Sequence, residues 1–319
     1  MPRTRSFLAA IALSTFLAAP SFGTARDGGR EPVEEHRFGV IGHSFNQPGD
    51  EHFRKALAET SEKSIAFVVV AGIKASSEPC GDKLYEERHG LIDKAKRPVI
   101  VLPAGSDWTD CRNSAGRTNA VERLNRMREL FHGEAHSLGA KKLPLTRLST
   151  SPRFRAYAEN AHWTVDSVLY ATVNLPANNN HYLAAAGRNS EYEDRSVATR
   201  FWLNRLFTLA RRDKVDAIVL FSEGDLKPLA EPTGLRSLLR RAPVTRDGFA
   251  AARNQVQLLA QKFEGKVLLV DSAALPKKAT PAIEWRGNVG HVSVGGEAVE
   301  VKVTPGEKVL FSLKDAGEM

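Results

Sequence analysis

Three short stretches of the chain place reactive side-chain types directly after apolar runs. His43 follows Phe38-Gly39-Val40-Ile41-Gly42, Ser106 and Asp107 follow the run Val99 to Leu102, and Asn178, Asn179, Asn180 and His181 follow Trp163 to Leu175. Imidazole, hydroxyl and carboxylate are the groups of nucleophilic and acid–base catalysis, and imidazole, carboxylate and amide also ligate divalent cations. Each stretch has a plainer reading as well. His43 at a strand terminus is read first as a satisfied polar residue and second as a metal ligand. Ser106 and Asp107 are read as shaping a turn, because nucleophile–base geometry does not follow from adjacency in sequence. The segment Asn178 to His181 is read as a polar surface loop, with substrate contact as the alternative.

The elements that must position these residues alternate from Arg37 onward between β-branched runs and amphipathic stretches, the pattern of βαβ units around a largely parallel sheet. Strands are expected at Phe38 to Ile41, Ile65 to Val70 and Val99 to Leu102. Helices are expected from Asp50, with Phe53, Leu57 and Ala58 inward, and from Gly81 and Asp82, with Leu84, Leu91 and Ile92 inward. A third should run from Asn119 to Phe131, burying Val121, Leu124, Met127 and Leu130 at helical spacing. The run Trp163 to Leu175 reads as one long strand or a hairpin. A helix from Ser196 to Arg212, a strand Ala217 to Phe221, a helix Arg246 to Phe263 and a strand Val267 to Val270 follow. The tail, with Val292, Val294, Val299, Val301 and Val303 punctuated by Gly295-Gly296 and Pro305-Gly306, suggests antiparallel strands that close the fold.

The N-terminus has the form of a secretory signal over residues 1–25, with Arg3 and Arg5 ahead of an apolar run from Phe7 to Ala18, too short for the roughly 20 residues of a membrane span. The mature chain, expected from Arg26 to residue 319 as one domain, is large enough for a substantial core. It should be periplasmic or secreted and carry no membrane span. Formal charge is +8, or +6 without Arg3 and Arg5. Such an excess favours anionic partners by long-range attraction, although scattered basic residues first suggest a solubilising surface. Arg236, Arg240 and Arg241 read as a solvated helical face, and no aromatic–basic stripe signals nucleic acid. Cys80 and Cys111, an even pair in an exported chain, imply one disulfide.

Taken in order, several pieces resemble the calcineurin-like metallophosphoesterases, exported bacterial branch. They are Phe38 to Gly42, Ser77-Glu78-Pro79-Cys80, Trp108-Thr109-Asp110-Cys111, Glu122-Arg123-Leu124 to Arg128-Glu129-Leu130-Phe131, Glu159-Asn160-Ala161-His162-Trp163, and Thr172 to Asn180. The resemblance implies an α/β fold of four-layer type, a central mixed β-sandwich flanked by helices, with the active site at the carboxyl ends of the strands. Active members hold two metal ions there on Asp, His and Asn side chains, and the metals generate the nucleophile and clamp the phosphate. This chain departs at those positions. Where the family has Gly-Asp after the first strand, Gly42 is followed by His43; after the second, Gly-Asp is replaced by Ala71-Gly72; after the third, Gly-Asp-Asn is replaced by Ala104-Gly105-Ser106. Toward the C-terminus, Val270-Asp271-Ser272-Ala273-Ala274 stands where a Gly-x-x-His type of motif belongs, and Gly290-His291-Val292-Ser293 reads as structural.

Two functions follow as expectations. The first is a non-catalytic binding protein whose cleft, with Ser106 and Asn178 to His181 as lining, holds an anionic or phosphorylated small ligand, or that contacts an envelope protein. It uses no cofactor or metal. The second is an active phosphoesterase with a rearranged site. In it a divalent metal sits on His43 with Asp107, His181 or Asp271.

Overall fold

The computed structural model describes residues 35–45, 47–62, 64–184, 189–227, 247–277 and 279–314. The signal segment, the arginines between 236 and 241, and a helix start at Arg246 lie outside the described residues.

Three apolar runs form the parallel strands β1 (His36–Ile41), β2 (Ile65–Ala71) and β3 (Val99–Leu102). Their sequences carry no polar alternation because both faces are covered, as buried parallel strands require. Two later strands, β11 (Ala298–Val303) and β12 (Phe311–Leu313), complete the first sheet in the order β12-β11-β1-β2-β3, with β11 antiparallel to β1. The second sheet is built from β4 (Thr146–Arg147), β5 (Ala161–Val165), β6 (Val168–Thr172), β7 (Ala217–Ser222), β8 (Lys266–Asp271), β9 (Glu284–Arg286) and β10 (Val289–Ser293), ordered β4-β5-β6-β7-β8-β10-β9.

The two mixed sheets face one another across an aromatic core. Phe38 stacks on Phe67 at a centroid distance of 5.4 Å, and Trp163, Tyr170 and Phe221 fill the same layer from the second sheet. Helices α1 (Glu51–Glu59), α2 (Asp82–Asp93) and α4 (Ala120–His132) cover the outer face of the first sheet through Phe53, Tyr85, Ile92, Leu124 and Met127. Helices α5 (Ser190–Arg212) and α6 (Ala250–Ala260) cover the second through Trp202, Leu206, Phe207 and Val256. The result is the expected α/β architecture, a central mixed β-sandwich flanked by helices. Among the described residues no helix is long and apolar enough to cross a membrane. Cys80 and Cys111 form a disulfide with Cα atoms 5.9 Å apart.

The hairpin alternative holds for one segment, and several other expectations change. Trp163 to Leu175 contains a hairpin, β5 and β6, turned at Asp166 and Ser167, with Asp166 at φ 50°. Val121 and Ala58 are exposed; Ala120 and Phe131 take the inward places on α4. Asp50 sits at the first N-cap but its carboxylate pairs with Arg54 and Arg88 and makes no capping bond. Helix α5 begins at Ser190, six residues before the expected start, and its first turns hold the i,i+4 pair Glu191–Arg195. The tail does not close as a single antiparallel group. Val292 lies in β10, which runs parallel to β8, whereas Val299, Val301 and Val303 lie in β11 of the other sheet. The turn at Gly295, φ 63°, carries the chain from one sheet to the other.

Candidate functional site

The carboxyl ends of β1, β2 and β3 converge with those of β6 and β7. Gly72 leaves β2 at φ 77°, a region that disfavours any residue with a Cβ, and its N–H donates to the Leu102 carbonyl at 2.9 Å. The His43 ring lies over this glycine: an added Cβ at Gly72 would sit 2.7 Å from His43 Cδ2. His43 Nε2 is 2.7 Å from Ser106 Oγ.

Ser106 Oγ is also 3.1 Å from the Lys74 carbonyl and 3.5 Å from Asp107 Oδ1. A hydroxyl has one proton, and the carbonyl and the carboxylate only accept. Both close contacts are satisfied when the Ser106 O–H donates to the Lys74 carbonyl and His43 Nε2–H donates to Ser106 Oγ. The opposite tautomer, needed for His43 to act as a base, leaves the Lys74 carbonyl contact without a proton. Ser106 is therefore held as a relay between a backbone carbonyl and an imidazole.

Asp107 follows on the short helix α3 (Gly105–Trp108) and is fully buried. It accepts the backbone N–H groups of Ile73, Lys74 and Ala104 at 3.0, 3.3 and 2.8 Å. Burial raises its carboxyl pKa, against the pull of the N–H donors, His43 and Lys74. Lys74, equally buried, gives its ammonium protons to the carbonyls of Ala75 and Ser106 at 2.8 and 2.7 Å, and burial lowers its pKa while Asp107 and Glu78 oppose. Tyr85 Oη donates to the Asp107 carbonyl and stands 3.8 Å from Cys111 Sγ, so the disulfide braces the back of this turn.

Glu223, just past β7, was not among the sequence candidates. One oxygen, Oε2, accepts both Gly105 N–H at 2.6 Å and Ala177 N–H at 2.7 Å, tying the loop after β3 to the loop after β6. Burial pushes its carboxyl up to about 7, with Asp107 adding to the rise and the two N–H donors opposing it. The signal available in sequence was a glutamate directly after the apolar run Ala217 to Ser222. Gly105 lies under Asn178, whose Oδ1 would be 3.0 Å from an added Cβ, and Asn178 Nδ2 donates to Thr109 Oγ1 at 2.8 Å.

Asn178 and Asn179 are exposed, as a polar surface loop requires, and only Asn180 of the segment is fully buried. Asn179, Asn180 and His181 are three successive residues with φ near +50°, and Asn180 is buried. Such a run persists only where its surroundings over-determine it. Arg195, fully buried, donates to Asn180 Oδ1, to the Asn180 carbonyl at 2.9 Å and to the Asn174 carbonyl at 3.3 Å. Asn179 Oδ1 and Asn180 Nδ2 bracket Gly248 by its N–H and carbonyl, both bonds at 2.8 to 2.9 Å. His181 packs edge-on against Trp108 at 5.0 Å, and burial lowers its pKa. Structure thus brings His43, Ser106 and Asp107 together, places Asn178 beside them, and turns Asn179, Asn180 and His181 into supporting contacts. Asp271 bonds His291. No protein-family model matches this chain, and no curated protein matches it.

Proposed function

We propose that the chain is a non-catalytic binding protein on a metallophosphoesterase-like frame, and that the cleft bounded by His43, Ser106 and Asn178 takes a small anionic, phosphorylated ligand. One observation carries the reading: the strand ends where a two-metal centre needs carboxylates are glycines already overlain by an imidazole and an amide, Gly72 by His43 and Gly105 by Asn178. Glycine offers no ligand atom, so these residues do not fit a bridging carboxylate and its neighbour. The two acids nearby are occupied internally. Asp107 is taken up by three backbone N–H groups, and Glu223 accepts two more, its carboxyl raised by burial to about 7. What faces the cleft is then imidazole and amide rather than carboxylate, which leaves an anion unopposed. The disulfide supports a location outside the cytoplasm.

The test is hydrolysis of a generic phosphodiester and phosphomonoester by chelator-stripped protein reloaded with manganese, zinc or iron, together with titration of inorganic phosphate followed by the His43 ring resonances. No turnover and a saturable His43 shift are expected. Metal-dependent turnover abolished by His43→Ala would establish the rearranged phosphoesterase instead.

A further inference from the structure

The face of the second sheet that packs against α5 and α6 carries a constellation with no part in the cleft. Strand alternation puts Asp271 on the same side of β8 as Val267 and Leu269, which pack in the outer core, and puts His291 on the same side of β10 as Val289. Asp225 arrives from the turn after β7. His291 Nε2 is 2.7 Å from Asp271 Oδ2 and 3.5 Å from Asp225 Oδ1, and one ligand atom from each residue lies within 4.8 Å of the others. Among the described residues this is the one trio of His, Cys, Asp or Glu so arranged.

An imidazole nitrogen has at most one hydrogen to offer, yet two carboxylates meet at it. The cations nearby do not answer them. Lys227 Nζ is 2.6 Å from Glu284, and Arg253 bonds Asp247 at 2.6 Å and only the backbone carbonyl of Asp225 at 2.9 Å. The backbone holds the carboxylates in place, Ala273 N–H on Asp271 Oδ1 at 3.0 Å and Lys227 N–H on Asp225 Oδ1. His291 also lines a cavity of about 280 Å³ with Lys227, Glu284 and Arg286, and Asp225 is about one-third exposed, so a route from solvent reaches the trio.

We propose that Asp225, Asp271 and His291 bind one divalent first-row transition cation. One imidazole and two carboxylates suit Mn²⁺ or Zn²⁺, and three protein ligands leave positions for water on the cavity side. Binding requires the Nε2 hydrogen to leave, with the ring proton held on Nδ1. The cation would add a side-chain link across β8, β10 and the turn after β7, on strands already paired through their backbone ladder.

The full chain is stripped with EDTA and titrated with Mn²⁺, free Mn²⁺ being read by electron paramagnetic resonance, and with Zn²⁺ by calorimetry. One ion per chain is expected, with Kd raised at least tenfold in Asp271→Asn and in Asp225→Asn, and with His43→Ala binding as the wild type does. Asp225→Asn alters the most exposed of the three and decides the matter should Asp271→Asn unfold. Absence of stoichiometric binding of either metal, or unchanged affinity in Asp225→Asn, overturns the proposal. Loss of binding in His43→Ala would move the ion to the other cleft and overturn both this site and the metal-free reading of that cleft.

Discussion

Replacing Gly72 by alanine tests the packing of His43 over the end of β2 at a single atom. The new Cβ would lie 2.7 Å from His43 Cδ2 and 2.9 Å from Ala104 Cβ, closer than such atoms approach in folded proteins. Residue 72 has φ 77°. A left-handed backbone costs a Cβ-bearing residue about 1–2 kcal/mol, and overpacking adds about 1–3 kcal/mol. Gly72→Ala is therefore expected to lose roughly 2–5 kcal/mol in urea unfolding, seen as a lower midpoint at constant slope. Gly90, inside α2 with nothing within 4 Å of an added Cβ, supplies the opposite sign: Gly90→Ala should gain about 0.5–1 kcal/mol. Adding His43→Ala to Gly72→Ala should return part of the steric loss and none of the backbone loss, so the two changes are non-additive. A Gly72→Ala protein within 0.5 kcal/mol of wild type, by the same threshold that separates ordinary surface changes, would refute the placement of His43 over the glycine.

Glu159 is fully buried and bidentate to Arg128 at 2.8 and 2.7 Å, with Asn174 Nδ2 at 3.0 Å; burial raises its pKa but Arg128 and Asn174 outweigh it, so the carboxyl stays below its usual range. Glu159→Ala leaves the Arg128 guanidinium desolvated and should cost about 3–5 kcal/mol by denaturation, a loss under 1 kcal/mol contradicting the buried pair. His132 is held neutral by burial, then by Arg147 and Arg128, with its pKa well below the ordinary 6.5. Its effect on stability is absent above that pH and grows as a loss when acid protonates only the unfolded chain, so His132→Leu should flatten the wild-type decline below pH 6.5 and leave parallel curves as the contrary result. Cys80 and Cys111 are separated by 31 positions, and a loop of that size corresponds to about 3–4 kcal/mol in the chain-entropy model; the double serine variant should unfold earlier by that amount under non-reducing conditions, with equal stability the refuting outcome.

Much of the frame was legible because burial on both faces writes itself into sequence: Ile65 to Val70 and Val99 to Leu102 have no polar alternation, and the sheet that follows from them forms. Alternation was equally visible at Val299, Val301 and Val303, where β11 has one drier face. Pairing partners were not visible. Val292 and Val299 look alike in sequence, yet one pairs in parallel with β8 and the other antiparallel with β1, since a turn at Gly295 separates two sheets. His43 and Ser106 were singled out, but their 2.7 Å contact depends on the parallel register of β1, β2 and β3. Asp225 lies in the turn after β7, Asp271 at the end of β8 and His291 in the middle of β10, and only the β7-β8-β10 order gathers them. Asn180 read as surface because nothing local announces that Arg195, on a later helix, reaches back for it.

The position of β1 sets an order of assembly. It carries His43 at its end and lies between β2 and β11, with Ile41 opposite Ala298 and His36 opposite Val303. Pairing with β2 closes a short loop, whereas pairing with β11 must wait for segments from opposite ends of the described chain to meet, the slow kind of contact in folding kinetics. Until then one margin of β1 presents unpaired N–H and C=O groups beside Phe38 and Val40, an adhesive edge for any other strand. The strand that leads to His43 thus gains its second neighbour late, and a chain caught during synthesis is most exposed to mispairing at the strand on which its candidate site depends.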